Sequence, residues 1–238
     1  MRKTDNTQAY IDVLREELVI AIGCTEPVAL ALAAATLKEI FGREPKTIGV
    51  RTSGAFFKNI RAAVVPGTTS LAGIRGSVAA GYVSGDPRKG LEVLENLSDD
   101  DLPDIQRMAD KDIFKIDVMD TAEPLHIILT YEDDKGSAEI EVARHHTHVV
   151  RLEKDGRTLA VDTLTPGRKT VMTDRAFMRF DQIIRFIETV PEEVLRPMIE
   201  PVIRHNMAIA EEGMTGRYGV GIGPVILKKE PTPYGRLK

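Results

Sequence analysis

The sequence is poor in cysteine and in aromatic residues. Its 238 residues include one cysteine, no tryptophan and only 5% aromatic side chains. A single cysteine cannot form an internal disulfide, so the sequence predicts a protein of the reducing cytoplasm. Few aromatic rings and a net charge of −4, with acids and bases mixed along the chain, argue against a nucleic-acid partner.

Long apolar runs are also missing from the sequence. The longest one is too short to span a bilayer, and the opening stretch MRKTDNTQ lacks the apolar core of a secretion signal, so we expect no membrane partner. With 42% apolar and 29% charged residues, the composition is typical of a globular protein with a sizeable core. Because no linker-like stretch divides the chain, the sequence predicts one domain over residues 1–227 and a charged, unpacked tail at residues 228–238.

The lone cysteine lies in the pentapeptide GCTEP, which separates two helical patterns. Before it, apolar residues in 10–22 recur at three- and four-residue spacing, which is typical of an amphipathic helix. After it, residues 28–37 (VALALAAATL) are apolar on every side, as in a buried helix. Gly23 can close the first helix, and Thr25 or Glu26 can cap the second.

Two interpretations of Cys24 follow from this position. A thiol just before a buried helix faces the positive end of the helix dipole and unpaired N–H groups. Both favour the thiolate, which attacks electrophiles or binds soft metals. Alternatively, a free cysteine serves as a small hydrophobic residue of the core. The pentapeptide alone leaves both interpretations open.

A second candidate site follows the predicted strand at residues 47–52. The strand ends in Ser53-Gly54, and the residues after it can start a helix, which leaves backbone N–H groups free for an anion. Lys58 could add a positive charge there. The alternative is an ordinary turn followed by a solvated lysine.

The stretch LAGIRGSVAAGYV at residues 71–83 predicts a helix rich in small residues. Its glycines and Ala80 carry almost no side chain, so another backbone can approach closely. Each glycine costs a helix up to about 1 kcal/mol. We therefore expect close packing, or a ligand, to compensate that cost.

From residue 114 to residue 161 the apolar residues alternate with polar ones, as they do in strands. The sequences DDKG at 133–136 and KDG at 154–156 are typical of hairpin turns. Together these patterns predict an antiparallel meander with one buried face and one wet face.

Two histidines, His146 and His148, fall within this predicted meander, in the sequence RHHTH at 144–148. On a strand both side chains would point to the same face, where two imidazoles could share a metal ion or bind an anionic substrate. Alternatively, they are polar residues on the wet face of the sheet, since no Asp or Glu stands at the spacing of a zinc motif.

The C-terminal region predicts two amphipathic helices. The first spans residues 177–189, and the second runs from Pro191 towards Met214, where Pro197 and Pro201 should kink or segment it. The residues expected to point inward from the second helix are Leu195, Met198, Ile199, Val202, Ile203 and Ile209. The complete pattern predicts an α+β protein with an N-terminal helical layer, a strand–turn–helix segment, an antiparallel β-meander and C-terminal helices.

An ordered series of motifs also runs along nearly the whole chain. The motifs are IGCTEPVALALAAA at 22–35, SGAFFKNIRAAVVPGT at 53–68, GSVAAGYVSGDPRKGLEVL at 76–94, HHTHVV at 145–150 and IAEEGMTGRYGVGIG at 209–223. In order and spacing, the series resembles the L-cysteine desulfidase family, which is similar to the alpha subunit of iron–sulfur L-serine dehydratase. The resemblance spans about residues 8–227.

This resemblance implies a cytoplasmic enzyme with a 4Fe-4S cluster that eliminates H₂S from L-cysteine, or water from L-serine, to give pyruvate and ammonia. Three cysteines would hold the cluster and leave one iron open as a Lewis acid for the substrate. The cysteine of the CTEP motif is one of these ligands, which implies that Cys24 binds iron. Thr25 and Glu26 would border the cluster.

The resemblance also implies where a small amino-acid substrate, L-cysteine or L-serine, would bind. The candidate substrate-binding residues are Ser53, Lys58, Asn59, Thr68, His146 and His148. An elimination also needs a general base near Cα, and the sequence identifies none.

The sequence departs from that family in having no second cysteine, although a four-iron cluster is normally held by about three or four. Typical members are nearly twice as long and carry the other cluster cysteines in their C-terminal half. Three explanations are open: a piece of a longer protein, one part of a split enzyme whose second subunit supplies the other cysteines, or a relative with another activity. We expect this chain alone to bind no cluster stably.

Two other functions stay open at this point. The fold and its anion pocket could serve a non-catalytic small-molecule-binding or regulatory module that has lost the cluster. Cys24 could also act as a nucleophile together with one of the histidines, which requires a depressed thiol pKa. The sequence is compatible with a homo-oligomer in each case.

Overall fold

Helices and strands lie largely in separate stretches of the chain, as expected for an α+β protein. The structure, a computed structural model, describes residues 6–164, 173–217 and 220–229. The helices are α1 (Thr7–Glu17), α2 (Thr25–Phe41), α3 (Gly54–Ile60), α4 (Gly73–Ser84), α5 (Leu102–Ala109), α6 (Phe180–Thr189), α7 (Glu192–Gly213) and α8 (Ile222–Lys229). The strands are β1 (Thr47–Ser53), β2 (Phe114–Met119), β3 (His126–Asp133), β4 (Gly136–Ala143), β5 (His148–Lys154) and β6 (Arg157–Leu164). Short 3₁₀ turns occupy Pro87–Glu92 and Asp99–Asp101.

The chain divides into two compact units. One is Val19–Val171, and the other combines Met1–Leu18 with Met172–Lys238. The sequence does not indicate this division, because both segments of the second unit have the pattern of ordinary amphipathic helices. Whether the two units behave as the predicted single domain stays a prediction.

The six strands of the Val19–Val171 unit form one sheet in the order β2-β1-β3-β4-β5-β6. Strands β3 to β6 pair antiparallel with their neighbours, which confirms the predicted meander and its two hairpins. The assignment of residues 114–118 to the antiparallel meander was wrong, because β2 pairs parallel with β1. The segment with α3, α4 and α5 supplies the long crossover that a parallel pair requires.

One face of the sheet is buried under helices, and α2 lies at the centre of this core. Ile48, Leu129 and Ile140 are at most 1% exposed on that face. Tyr131 is also fully buried, and its hydroxyl donates a hydrogen bond to the Ala34 carbonyl of α2 over 3.3 Å. The apolar run at residues 28–37 is therefore buried on all sides, as its sequence predicts.

Helices α2 and α4 pack with their backbones almost in contact. A Cβ atom added to Gly81 would lie 2.1 Å from the carbonyl oxygen of Ala31. A Cβ added to Gly85 would lie 2.7 Å from Cβ of Ala35. The prediction that small residues of this helix allow another backbone to approach is confirmed.

The junction between α1 and α2 differs from the sequence prediction. Helix α1 ends at Glu17 rather than at Gly23. The backbone N–H of Ile22 instead donates to the Leu91 carbonyl over 3.3 Å, so a tertiary contact replaces the last helical turn. The N-cap of α2 is Cys24, not Thr25 or Glu26.

The second unit has a small core of its own. Tyr10 and Phe186 stack with ring centroids 4.9 Å apart, and Ile11 completes the buried cluster. Helix α7 is unbroken from Glu192 to Gly213, so its two prolines do not segment it, and the alternative expectation of a kink stays a prediction. No residue of α7 is buried, and Ile203 and Ile209, which we expected to point inward, are 57% and 71% exposed. In the predicted tail, residues 228–229 belong to α8 and residues 230–238 lie outside the described residues.

Candidate functional site

Cys24 stands exposed at the start of α2. Its extended backbone, with φ −67° and ψ 126°, places it at the N-cap, but its side chain makes no capping hydrogen bond. Gly23 adopts a left-handed φ of +72°, and a Cβ there would lie 3.0 Å from Cγ of Pro66. The glycine therefore makes the sharp turn that presents the thiol beside the 64–70 loop.

The Glu26 carboxylate is the centre of the hydrogen bonds at this site. Its Oε2 accepts from the Cys24 thiol over 3.3 Å and from the Thr25 hydroxyl over 3.4 Å. Its Oε1 accepts from the side-chain amide of Asn59, on α3, over 3.0 Å. Asn59 of the second candidate site therefore meets three consecutive residues of the pentapeptide GCTEP.

Their surroundings oppose the predicted activation of the thiol. Partial burial raises the pKa of Cys24, and the hydrogen bond and negative charge of Glu26 raise it further. Burial also raises the pKa of Glu26. Its own backbone N–H, Cys24 and Asn59 outweigh this effect through hydrogen bonds, so the Glu26 pKa ends below its usual value. The site therefore pairs an ionised carboxylate with a protonated thiol near neutral pH.

The two candidate histidines do not share a strand face. Residues 144–147 form a turn in which Arg144 has a positive φ of 70°, so His146 lies in the turn and His148 begins β5. The predicted same-face pair was wrong, because His146 lies outside the strand that His148 begins. His148 is 8% exposed, and its Nδ1 donates to the Ala143 carbonyl over 3.0 Å.

His146 is half-buried and lies close enough to Glu26 for the negative charge of that residue to act on it. Burial lowers the pKa of His146, the negative charge of Glu26 opposes that shift, and His145 adds to it. The net lowering leaves the imidazole neutral near pH 7. His146 also lines a small crevice between α2 and strands β4 and β5, together with Ala29 and Leu32.

The remaining sequence candidates have different environments. The Ser53 hydroxyl donates to the Pro124 carbonyl over 2.5 Å and accepts from the Phe56 N–H over 3.2 Å, which makes it the N-cap of α3. The Thr68 hydroxyl contacts the carbonyls of Val65 and Leu71 within its own loop. Lys58 is exposed on α3. Their substrate-binding roles stay predictions.

Sequence reasoning missed a charged network on the other face of the sheet. His126 Nε2 lies 2.8 Å from Oε1 of Glu141, and Arg151 lies 3.4 Å from the second oxygen of the same carboxylate. Arg151 also donates to Glu139 over 2.6 Å. The alternation of polar residues on β3, β4 and β5 was the available signal. These bonds pair the charges with one another, as on the wet face of a sheet.

No helix within residues 6–164, 173–217 and 220–229 is long and apolar enough to cross a membrane. Over the same ranges, no group of three or more His, Cys, Asp or Glu side chains is arranged to hold a metal ion.

The chain is similar to proteins named UPF0597 protein. The relative from Finegoldia magna is 33% identical over 233 residues, which cover 96% of this chain and 55% of the relative. The relative from Lachnoclostridium phytofermentans is 35% identical over 91% of this chain and 52% of its own length. The relative from Aeromonas salmonicida is 33% identical, with 92% and 50% covered. The chain therefore spans about half the length of the curated relatives it matches.

These relatives correct the family assignment drawn from the motif series. They are consistently named UPF0597 protein, and no desulfidase or dehydratase name occurs among them. The resemblance to the L-cysteine desulfidase family was therefore wrong as an assignment. No protein-family model matches the chain, and no solved structure matches it.

Proposed function

We propose that this chain is one part of an iron–sulfur lyase that eliminates H₂S from L-cysteine, or water from L-serine, to give pyruvate and ammonia. The observation that carries the proposal is the exposed Cys24 thiol at the N-cap of α2, with Glu26 and Asn59 arranged around it. Thiolates are the preferred protein ligands of iron–sulfur clusters. The site supplies a candidate iron ligand and candidate substrate contacts, whereas the reaction and its two substrates come from the motif series.

The residues of this chain do not fit a complete cluster. The sequence has one cysteine, and a four-iron cluster is normally held by about three or four. The other ligands would have to come from polypeptide outside this chain, and the relatives have about as much length again beyond the matched part. We call that unmatched part of the relatives the companion segment. Such a site would belong to the reducing cytoplasm.

The protonation state of Cys24 favours a ligand over a nucleophile. Burial and the Glu26 carboxylate raise its pKa, so the free thiol keeps its proton near pH 7. An activated nucleophile requires the opposite shift. A metal ligand must lose the proton as well, but the metal ion itself favours that loss when it binds.

The neighbouring side chains match the groups of a small amino acid. Glu26 is ionised and held by Asn59, so it can accept hydrogen bonds from a substrate ammonium group. Lys58, the residue before Asn59 on α3, offers a positive charge to the substrate carboxylate. His146 is neutral near pH 7, so it can take the proton that an elimination removes from Cα.

A second candidate function is a small-molecule-binding or regulatory module without a cluster. The crevice beside His146 favours it, because it has empty space between α2 and the sheet and is lined mainly by apolar side chains. The space that it encloses is about 10 Å³, room for roughly one water-sized molecule. A larger ligand would have to widen the crevice.

The test is activity of the assembled protein. This chain would be co-expressed with the companion segment of the Finegoldia magna relative and reconstituted anaerobically with iron and sulfide. Release of sulfide and pyruvate from L-cysteine, and of pyruvate from L-serine, would then be measured. We expect activity that Cys24→Ala abolishes and that the distant exposed variant Arg107→Ala retains.

Absence of turnover with both amino acids in a folded assembly would contradict the lyase. Calorimetric binding of L-cysteine or L-serine to the chain alone, weakened by His146→Ala, would then support the binding module instead. Failure of the two polypeptides to assemble would also count against a shared site.

A further inference from the structure

The unit built from Met1–Leu18 and Met172–Lys238 exposes large apolar side chains on three helices. On α6, Phe180, Ile184 and Ile187 are 80%, 40% and 60% exposed. They stand at positions i, i+4 and i+7, so they form one stripe along the helix. This stripe is separate from the inward face of α6, where Phe186 and Ile183 pack on the core of the unit.

Helix α7 carries a similar stripe on its second half. Near its start, Leu195 and Met198 pack against the core of the unit. Farther along, Ile203 and Met207 stand at i and i+4 and are 57% and 51% exposed, and Met214, the C-cap of the helix, is 42% exposed. The apolar surface of α7 therefore continues beyond the part of the helix that is covered.

Helix α8 repeats the arrangement over a shorter length. Ile222, Val225 and Ile226 stand at i, i+3 and i+4 and are 62%, 49% and 55% exposed. Single exposed apolar residues are normal on proteins, but contiguous ones usually mark an interaction site. Apolar stripes of this kind recur on three consecutive helices of the unit.

We infer that these stripes, the α6–α8 apolar surface, are the docking surface for the companion segment. The relatives match this chain over only 50–55% of their own length, so each has a further stretch of similar size. A stretch of that size has its own apolar faces to bury. Binding of the companion segment would bury the exposed apolar side chains of α6, α7 and α8.

The charges of α7 disfavour a lipid surface as the occupant. The helix has five glutamates and two arginines. Helices that lie on anionic membranes are rich in Lys and Arg on their polar face. A polypeptide is therefore a better candidate than a membrane as the binding partner of this apolar surface.

The inference rests on the proposed function in that both require the companion segment, but docking does not require iron. The test therefore uses the Cys24→Ala variant of this chain throughout, so that the absence of a cluster cannot affect the result. The chain would be mixed with the companion segment of the Finegoldia magna relative, and the complex measured by size-exclusion chromatography with light scattering and by calorimetry. We expect a one-to-one complex.

Matched variants locate the interface. Ile203→Glu with Met207→Glu places two charges on the stripe, and we expect it to weaken binding by about tenfold or more. His205→Glu with Ala208→Glu places the same charges on the opposite, exposed side of α7 and should leave the affinity unchanged. Circular dichroism of both variants checks that the fold is retained.

Several results would overturn the inference. One is no complex, and another is equal weakening by the two double variants. A homodimer of this chain that Ile203→Glu with Met207→Glu dissociates would identify a second copy as the occupant. Binding of the chain to anionic vesicles through the same stripe would identify a membrane. Protection of Met207 and Met214 from hydroxyl-radical oxidation in the chain alone would show that the chain covers the stripe itself.

Discussion

The side-chain amide of Asn59 lies 3.0 Å from Oε1 of Glu26, so one hydrogen bond joins α3 to the first turn of α2. The second oxygen of the same carboxylate accepts from the Cys24 thiol. Through Glu26, the strand–turn–helix segment therefore fixes the surroundings of a cysteine that lies more than thirty residues before Asn59 in the sequence. This relationship leads to the first prediction.

Glu26→Gln should make Cys24 more reactive in the chain alone. Burial raises the pKa of this thiol first, and the Glu26 carboxylate adds to the rise through a hydrogen bond and its charge. Removal of the charge lowers the thiol pKa, so more thiolate is present at neutral pH. The rate of iodoacetamide alkylation against pH measures this change, and we expect the midpoint to move to lower pH.

Glu39→Gln is the control, since it removes an exposed carboxylate from the far end of α2. It should leave the alkylation profile in place. An alkylation midpoint that does not move in Glu26→Gln would mean that the carboxylate does not act on the thiol.

Gly81→Ala should strongly destabilise the Val19–Val171 unit. The added Cβ would lie 2.1 Å from the carbonyl oxygen of Ala31. Neither atom can rotate away, because the backbone of its helix fixes its position. Overpacking of this kind costs about 1–3 kcal/mol and occasionally more. Urea unfolding, followed by circular dichroism, measures the free energy of unfolding, and we expect a loss of about 3 kcal/mol or more.

Gly213→Ala is the matched substitution. It also lies in a helix, but an added Cβ meets no atom within 4 Å. We expect no loss of stability, or a gain of up to about 1 kcal/mol from the reduced entropy of the unfolded chain. Equal destabilisation by the two alanines would show that α2 and α4 are not in close contact.

The ion pair between Arg43 and Asp133 should contribute to stability in a defined pH range. Arg43 Nε lies 2.6 Å from the carboxylate, and this hydrogen bond is the main cause that lowers the pKa of Asp133 from 3.8 to about 2. Because the folded pKa is the lower one, the folded state binds fewer protons between pH 4 and pH 2. The stabilisation is therefore complete above about pH 4 and is lost as the pH falls towards 2.

Arg43→Met tests this ion pair. Unfolding in urea from pH 6 down to pH 2 should show the variant less stable than the wild type at pH 6, with the difference shrinking below pH 4. Arg107→Met removes an exposed ion pair with Asp104, 71% and 58% exposed, and should change little at any pH. A constant difference for Arg43→Met down to pH 2 would contradict the pKa assigned to Asp133.

The sequence predicted those features that depend on neighbours along the chain. The DDKG and KDG turns and the alternation around them determine the hairpins, because strand period and turn residues are local properties. Residues 28–37 predicted a helix buried on all sides for the same reason. The small residues of α4 predicted a close approach, and Gly81 against Ala31 confirms it.

What the sequence did not predict depends on contacts between distant residues. The parallel pairing of β2 with β1 requires knowledge of where the crossover returns. The hydrogen bond between Ile22 and Leu91 ends α1 earlier than its apolar period suggests. The positive φ of Arg144 interrupts the strand, so His146 and His148 do not share the strand face that the sequence predicted. The meeting of Asn59 with Glu26 likewise needed the packing of α3 beside α2.

The central claim is that Cys24 is this chain's ligand to an iron–sulfur cluster completed by the companion segment. The most direct measurement is the iron and acid-labile sulfide content of the assembled protein with Cys24 or with Cys24→Ser, after anaerobic reconstitution and gel filtration. Our account predicts about four irons and four sulfides per assembly with Cys24, a marked loss with Cys24→Ser, and no stable cluster on the chain alone. An equal cluster content with serine at this position, in an assembly that still forms, would contradict it.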